Sequence, residues 1–157
     1  MQQKTNTTNT VGIIGLGLIG GSLGLDLQGL GWTVKGLVHK EKTRARAKER
    51  GLAQTISTNP KILSDCDVVI LALPIKELLN PANEIIQEIP DQCVVTDVGS
   101  VKAPVLKVWG DLHKRFIGSH PMAGTAEAGV EAGQLALFKN KPWITTPTKH
   151  TDHDALA

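Results

Sequence analysis

A chain of 157 residues, 41% of them hydrophobic and with a formal net charge of +2, has the size and apolar content of one ordinary soluble domain with a sizeable core. The charge excess is too small to indicate a nucleic-acid partner, and no apolar run approaches the ~18 residues of a membrane span. The polar start lacks the apolar region of a signal peptide. Cys66 and Cys93 make no C-x-x-C pair and fall near opposite ends of different predicted strands. Neither a disulfide framework nor a zinc site is therefore expected, and a reducing cytoplasm is the default location.

Residues 1–10 read as a polar leader to a domain over 11–148. Val11-Gly12-Ile13-Ile14-Gly15-Leu16-Gly17-Leu18-Ile19-Gly20 is an apolar strand running into a glycine turn and then a helix. Gly15 turns the chain off the strand end, Gly17 lets a pyrophosphate approach the backbone, and Gly20 lets the helix lie close to the sheet. Leu18 and Ile19 open that helix, whose free N–H groups face the phosphates. The helix is predicted over 18–30, with Ile19, Leu23, Leu27 and Leu30 on one apolar face. A glycine turn with no ligand is the plainer reading; the strand before it and the helix after it favour a dinucleotide.

Further strands are predicted at 33–38, 53–56, 68–73, 94–97 and 115–118, with helices near 41–51, 61–65, 81–89 and 101–113. The run at 68–73 is apolar throughout, as a central parallel strand buried on both sides requires. Asn80 as cap and Pro81 as first residue start the helix at 81, and Pro90 stops it. Residues 118–133, rich in small side chains, read as a loop or short helix, and 141–146 add a last strand. This alternation predicts a Rossmann-type doubly wound, mainly parallel α/β sheet. Residues 149–157 read as the start of a missing C-terminal domain.

A carboxylate at the end of the second strand would accept hydrogen bonds from the 2′-hydroxyl of NAD. Val38 occupies that place, and His39, Lys40, Lys42, Arg44 and Arg46 follow. A 2′-phosphate is attracted to such a cluster, so NADP is expected over NAD, held by Val38, His39, Lys40 and Arg44. Lys48 and Arg50 lie beyond reach and read as a solvated helix face.

Three other strand ends form candidate walls of the site. Leu73 and Pro74 offer an apolar surface to the cofactor. The turn Thr96-Asp97-Val98-Gly99-Ser100-Val101-Lys102 places Asp97 and Ser100 toward it, although Ser100 is equally suited to cap the next helix. The segment Gly118-Ser119-His120-Pro121-Met122-Ala123-Gly124-Thr125 holds His120 stiffly between a strand and a proline. His150 and His153 have neither metal spacing nor a third ligand, so no metal is expected.

These three motifs, the glycine turn, 96–102 and 118–125, resemble those of the prephenate/arogenate dehydrogenases of tyrosine biosynthesis, along about 11–148. The resemblance implies NADP-dependent oxidative decarboxylation of arogenate or prephenate, with hydride passing to the nicotinamide and a carboxylate leaving as CO2. It implies that His120 hydrogen-bonds the substrate 4-hydroxyl and helps remove its proton. Ser100 would lie beside His120 and the nicotinamide, with Gly124 and Thr125 completing the substrate pocket. Members of the family carry a second, helical domain that makes a homodimer and supplies further substrate-binding groups. The 157-residue chain is accordingly expected to bind cofactor but to turn over little. Two alternatives stay open: another NADP-dependent dehydrogenase or reductase of the β-hydroxyacid type, and a non-catalytic NADP-sensing module.

Overall fold

The computed structural model describes residues 9–157. Most of the expected leader lies outside the described residues, and Thr10, its last member, already belongs to the first strand. In chain order the elements are β1 (Thr10–Ile14), α1 (Leu18–Gly29), β2 (Thr33–Leu37), α2 (Glu41–Glu49), β3 (Thr55–Ser57), a 3-10 turn at Pro60–Leu63, β4 (Val68–Leu71), α3 (Ile75–Leu79), α4 (Asn83–Glu88), β5 (Val94–Asp97), α5 (Ala103–Leu112), β6 (Phe116–Pro121), β7 (Trp143–Thr146) and α6 (His153–Leu156).

The strands form one sheet in the order β3-β2-β1-β4-β5-β6-β7. All neighbours from β3 to β6 run parallel, and β7 closes the edge antiparallel to β6. This is the expected Rossmann-like doubly wound sheet. After β3 the chain crosses back to the far side of β1, so the switch point falls between β1 and β4. Ligands of open parallel sheets bind outside the carboxyl ends of the strands at such a point.

Alternation along the central strands builds two core layers. Val69 and Leu71 of β4 face a layer with Leu78, Val105, Trp109 and Phe116, whereas Ile70 faces the opposite layer with Ile13, Leu23, Val34 and Leu52. The buried Trp109 indole keeps its hydrogen bond by donating to the Leu78 carbonyl at 2.9 Å, as a buried N–H must.

Helix α1 packs differently from its expected stripe. Its buried residues are Gly20, Gly21, Ser22, Leu23 and Gly24, whereas Leu30 is 75% exposed. A Cβ on Gly24 would lie closer than 3.0 Å to the Leu52 carbonyl oxygen. The helix therefore approaches its neighbours through glycine backbone, and Ile19 and Leu27 pack only at the margin of the core.

Three other boundaries differ. Helix α3 is an additional element, too short for apolar periodicity to reveal. Asn80 does not cap the next helix: its amide donates to the Lys76 carbonyl at 3.0 Å and finishes α3, while α4 begins at Asn83 after Ala82. Strand β6 continues to Pro121, because antiparallel pairing with β7 extends it past the end of β5. His120 thus lies within a strand, paired with Ile144, rather than after one.

Cys66 and Cys93 precede the adjacent parallel strands β4 and β5, so they share one end of the sheet rather than opposite ends. Both are free and buried. Burial pushes the Cys66 thiol from 9.0 to about 11, helped by the charge of Asp65. Burial pushes Cys93 from 9.0 to about 12, helped by Cys66. Raised native values mean that folding favours the protonated thiols. That contribution is complete below pH 9.0 and is lost as the pH rises through about 11 to 12. Both thiols should resist alkylation at pH 8 in the native chain and react within minutes after denaturation. Rapid labelling of the native protein, read by mass, would contradict this placement.

Candidate functional site

The carboxyl ends of β1 and β4 open onto a cleft of about 990 Å3. The glycine turn forms its floor. Gly15 has φ +90°, a conformation that side chains resist, and its N–H donates to the Leu37 carbonyl at 2.9 Å. A Cβ on Gly20 would lie closer than 3.0 Å to the Gly15 carbonyl oxygen, and one on Gly15 would lie within the same limit of the Ala72 carbonyl oxygen. Gly17 is different: an added Cβ there would meet nothing nearer than the Gly129 nitrogen at 3.9 Å.

Two of the three glycines are thus required by the fold, and the third faces open cleft. Gly17 also precedes α1, whose first turn has neither a side-chain cap nor an acidic residue. Unpartnered N–H groups at a positive helix end, beside a bare backbone, suit a phosphate. The residues present therefore fit a dinucleotide. Leu18, Ile19 and Gly20 line the same cleft.

The end of β2 forms one flank. Val38 is buried, and its N–H donates to the Ser57 carbonyl at 3.0 Å. His39 and Lys40 are exposed and line the cleft, as does Thr43. Arg44 does not line it. Arg44 pairs with Glu41, and that hydrogen bond holds the Glu41 carboxyl below its ordinary value.

Arg46 is likewise committed, to Glu49 and Glu131. Arg50 is not merely solvated: it donates to the Val130 carbonyl at 2.6 Å and to that of Gly133 at 2.8 Å.

Leu73 and Pro74 line the opposite flank, where the start of α3 adds Glu77. The cleft reaches Val98 and Gly99 on the turn after β5, but its lining does not include Asp97, Ser100, His120, Gly124 or Thr125. Asp97 is 0% exposed and internally satisfied. Its carboxylate pairs with Lys102 and accepts from Gly99 N–H at 2.9 Å and Ser119 N–H at 3.1 Å. Asp97 therefore ties β5 to β6 instead of facing a cofactor, and pairing of this kind is what makes a buried carboxylate tolerable.

Ser100 is exposed and does not cap α5; Lys102 occupies the cap position, and its side chain makes no capping bond to the helix. His120 is half-buried at the carboxyl end of β6, the edge of the sheet onto which the turn after β5 also opens. The neighbouring Ser119 hydroxyl donates to the Asp97 carbonyl at 2.7 Å. Lys102 Nζ donates to the Ser119 carbonyl at 2.7 Å. The backbone carrying His120 is thereby held from both sides. Gly124 and Thr125 lie in the exposed segment that follows, where Thr125 Oγ1 accepts from Glu127 N–H at 3.2 Å.

Residues 23–157 match the family described as prephenate dehydrogenase, nucleotide-binding domain. The chain belongs to that family. It is 34% identical over 140 residues to a prephenate dehydrogenase of Lactococcus lactis subsp. cremoris, covering 85% of this chain and 40% of that protein. The crystal structure of Synechocystis arogenate dehydrogenase superposes with a TM-score of 0.83 at 34% identity, over 94% of this chain and 53% of that one. The structure of prephenate dehydrogenase from A. aeolicus, in complex with hydroxyphenyl propionate and NAD+, gives a TM-score of 0.87 at 31% identity, over 98% and 55%. The chain thus spans about half the length of these prephenate and arogenate dehydrogenases.

Within this nucleotide-binding domain of the prephenate dehydrogenase family, several cleft residues escaped sequence reasoning, Glu77, Asn80 and Ile85 on the α3–α4 side among them. Thr43, in α2, and Thr58, just after β3, line the β2 flank as well. The only signal available for Thr43 was its place in the first turn after the strand end. Glu127, Ala128, Gly129 and Val130 form a wall opposite the glycine turn. Nothing local in the sequence marks that wall. Among the described residues no group of three or more His, Cys, Asp or Glu could hold a metal, and no helix is long and apolar enough to cross a membrane.

Proposed function

We propose that this domain binds a nicotinamide dinucleotide in the cleft, with NADP preferred, and serves the oxidative decarboxylation of arogenate or prephenate. The open face of Gly17 at the uncapped start of α1 carries this reading. A bound nicotinamide would supply the acceptor for a hydride from the substrate carbon bearing the 4-hydroxyl. His120 accepts the hydrogen bond of that hydroxyl and draws off its proton, which makes hydride departure from the same carbon easier. The bond to the ring carboxylate then breaks, its electron pair completes the aromatic ring, CO2 leaves, and the oxygen recovers a proton. Ser100 orients the hydroxyl beside His120, and Gly124 and Thr125 border the substrate.

His39 and Lys40 support the NADP preference, since both line the cleft and no free carboxylate stands at the end of β2. Arg44 supports it less, because Glu41 already engages it. No residue of this domain distinguishes the amine of arogenate from the ketone of prephenate; the absence of an acid at Val38 and the form of the motifs lean the proposal toward an NADP-linked arogenate enzyme. The full-length protein is proposed to be a homodimer, with turnover depending on residues beyond this domain.

Titration of the 157-residue chain with both cofactors tests the reading. NADP should bind about tenfold more tightly than NAD, ~1.4 kcal/mol, and substrate turnover by this chain should be negligible. Equal or tighter NAD affinity defeats the NADP preference. Appreciable tyrosine or 4-hydroxyphenylpyruvate formation defeats the dependence on further residues.

A further inference from the structure

The segment 127–136 lies across the mouth of the glycine turn, and its attachments are polar and specific. From α2, Arg46 pairs with the Glu131 carboxylate, and Arg50 donates to the carbonyls of Val130 and Gly133. From α1, Ser22 Oγ accepts from Gln134 N–H at 2.9 Å, and Asp26 Oδ1 accepts from Ala136 N–H at 2.9 Å. Gly133 sits so close to Gly21 that its Cβ would lie 3.0 Å from the Gly21 carbonyl carbon. Two helices thus fasten one strap. Its first part, Glu127 to Val130, forms the cleft wall facing Gly17.

We infer that Arg46, Arg50 and Glu131 are positioning residues for the cofactor: they hold the 127–130 wall over the pyrophosphate cradle and slow cofactor escape. The inference rests on the proposed dinucleotide site. It differs in kind from a charge contact with the 2′-phosphate, because the guanidinium of Arg46 is already shared between Glu49 and Glu131. Those contacts hold the Glu131 carboxyl below its ordinary value, chiefly through the Arg46 hydrogen bond. The strap consequently stays fastened above the ordinary carboxylate range and loosens only as the pH falls through the lowered value.

The sign of one substitution separates strap from simple electrostatics. Glu131 is an acid near a site for an anionic ligand. If charge alone mattered, Glu131→Gln would tighten cofactor binding. If Glu131 fastens the wall, the same change weakens it.

The test is calorimetric titration and stopped-flow release of NAD and NADP with the wild-type chain, Glu131→Gln, Arg46→Ala and Arg50→Ala, beside thermal melts without ligand. Each variant should lose about fivefold to tenfold in affinity for both cofactors alike, through faster release, with the ligand-free melt nearly unchanged. Equal losses are expected because the pyrophosphate is common to both. Tighter or unchanged binding in Glu131→Gln overturns the inference. So does a loss in Arg46→Ala confined to NADP, which would place Arg46 on the 2′-phosphate. Losses matched by an equally large fall in the ligand-free melt overturn it too, since the segment would then be ordinary structure. A wild-type chain that binds neither cofactor overturns the dinucleotide site itself, and this inference with it.

Discussion

Gly17→Ala should leave the domain folded and weaken cofactor binding by about 100-fold or more, ~2.7 kcal/mol, whereas Gly20→Ala should damage the fold itself. The two substitutions add the same methyl group three positions apart, so their contrast isolates what each glycine is for. Gly17 has φ −82° and ψ −150°, an extended conformation open to alanine. The added Cβ meets no protein atom nearer than 3.9 Å. Stability should therefore move by no more than ~0.5 kcal/mol, the usual range for a change that disturbs no packing. The methyl group would instead project into the space through which a pyrophosphate approaches the backbone.

At Gly20 two effects compete. Alanine in a helix interior gains about 1 kcal/mol over glycine from propensity. Against that, its Cβ would fall within 3.0 Å of the Gly15 carbonyl oxygen and at 3.0 Å from the Ala72 Cβ. The first neighbour is backbone in a turn already held at φ +90°, so it cannot swing aside as a long side chain would. Overpacking against fixed groups costs about 1–3 kcal/mol or more. The clash wins, and the melting temperature should fall by about 3–8 °C at this chain length. Thermal melts and cofactor titration of both variants decide the matter. A Gly17→Ala chain that binds cofactor normally would show that nothing needs the bare backbone there.

The contrast also shows what the sequence made legible and what it did not. The strand-glycine-helix order from Val11 to Gly20 is local, so its elements, the turn at Gly15 and the close approach at Gly20 could be read from neighbours in the chain. The apolar run at 68–73 announced a central strand for the same reason, although the strand itself ends at Leu71. Asn80-Pro81 carried equally good local chemistry for a helix start, yet the Asn80 amide turns back to Lys76. A five-residue helix offers no period by which to anticipate that.

Tertiary contacts hid the remainder. Arg46 reads as part of the basic cluster offered to a 2′-phosphate and Arg50 as a solvated helix face, and their partners Glu131, Val130 and Gly133 lie 80 or more residues away. Asp97 stands among polar neighbours at a strand end, where an acid could face either way. Gly99 and Lys102 reach its carboxylate from the same turn, and the closeness of β6, which adds the Ser119 N–H, ties that carboxylate inward across the sheet. The extension of β6 through His120 likewise depends on β7, which follows more than twenty residues later.

That extension bears on the other large effect. His120→Asn, introduced into the longest form of the protein that turns over, should lower kcat by about 100-fold or more while cofactor affinity stays within about twofold. Asparagine keeps a hydrogen-bonding side chain of similar reach but cannot take up a proton. The fold should tolerate it, because His120 is only half-buried and its strand is fixed by other groups. Ser119 is anchored to Asp97 and Lys102, and the His120 backbone pairs with Ile144. A fall in kcat with KM for cofactor unchanged assigns the loss to the chemical step rather than to binding. Near-normal turnover would remove His120 from the proton transfer and leave the cleft as a dinucleotide site served by some other base.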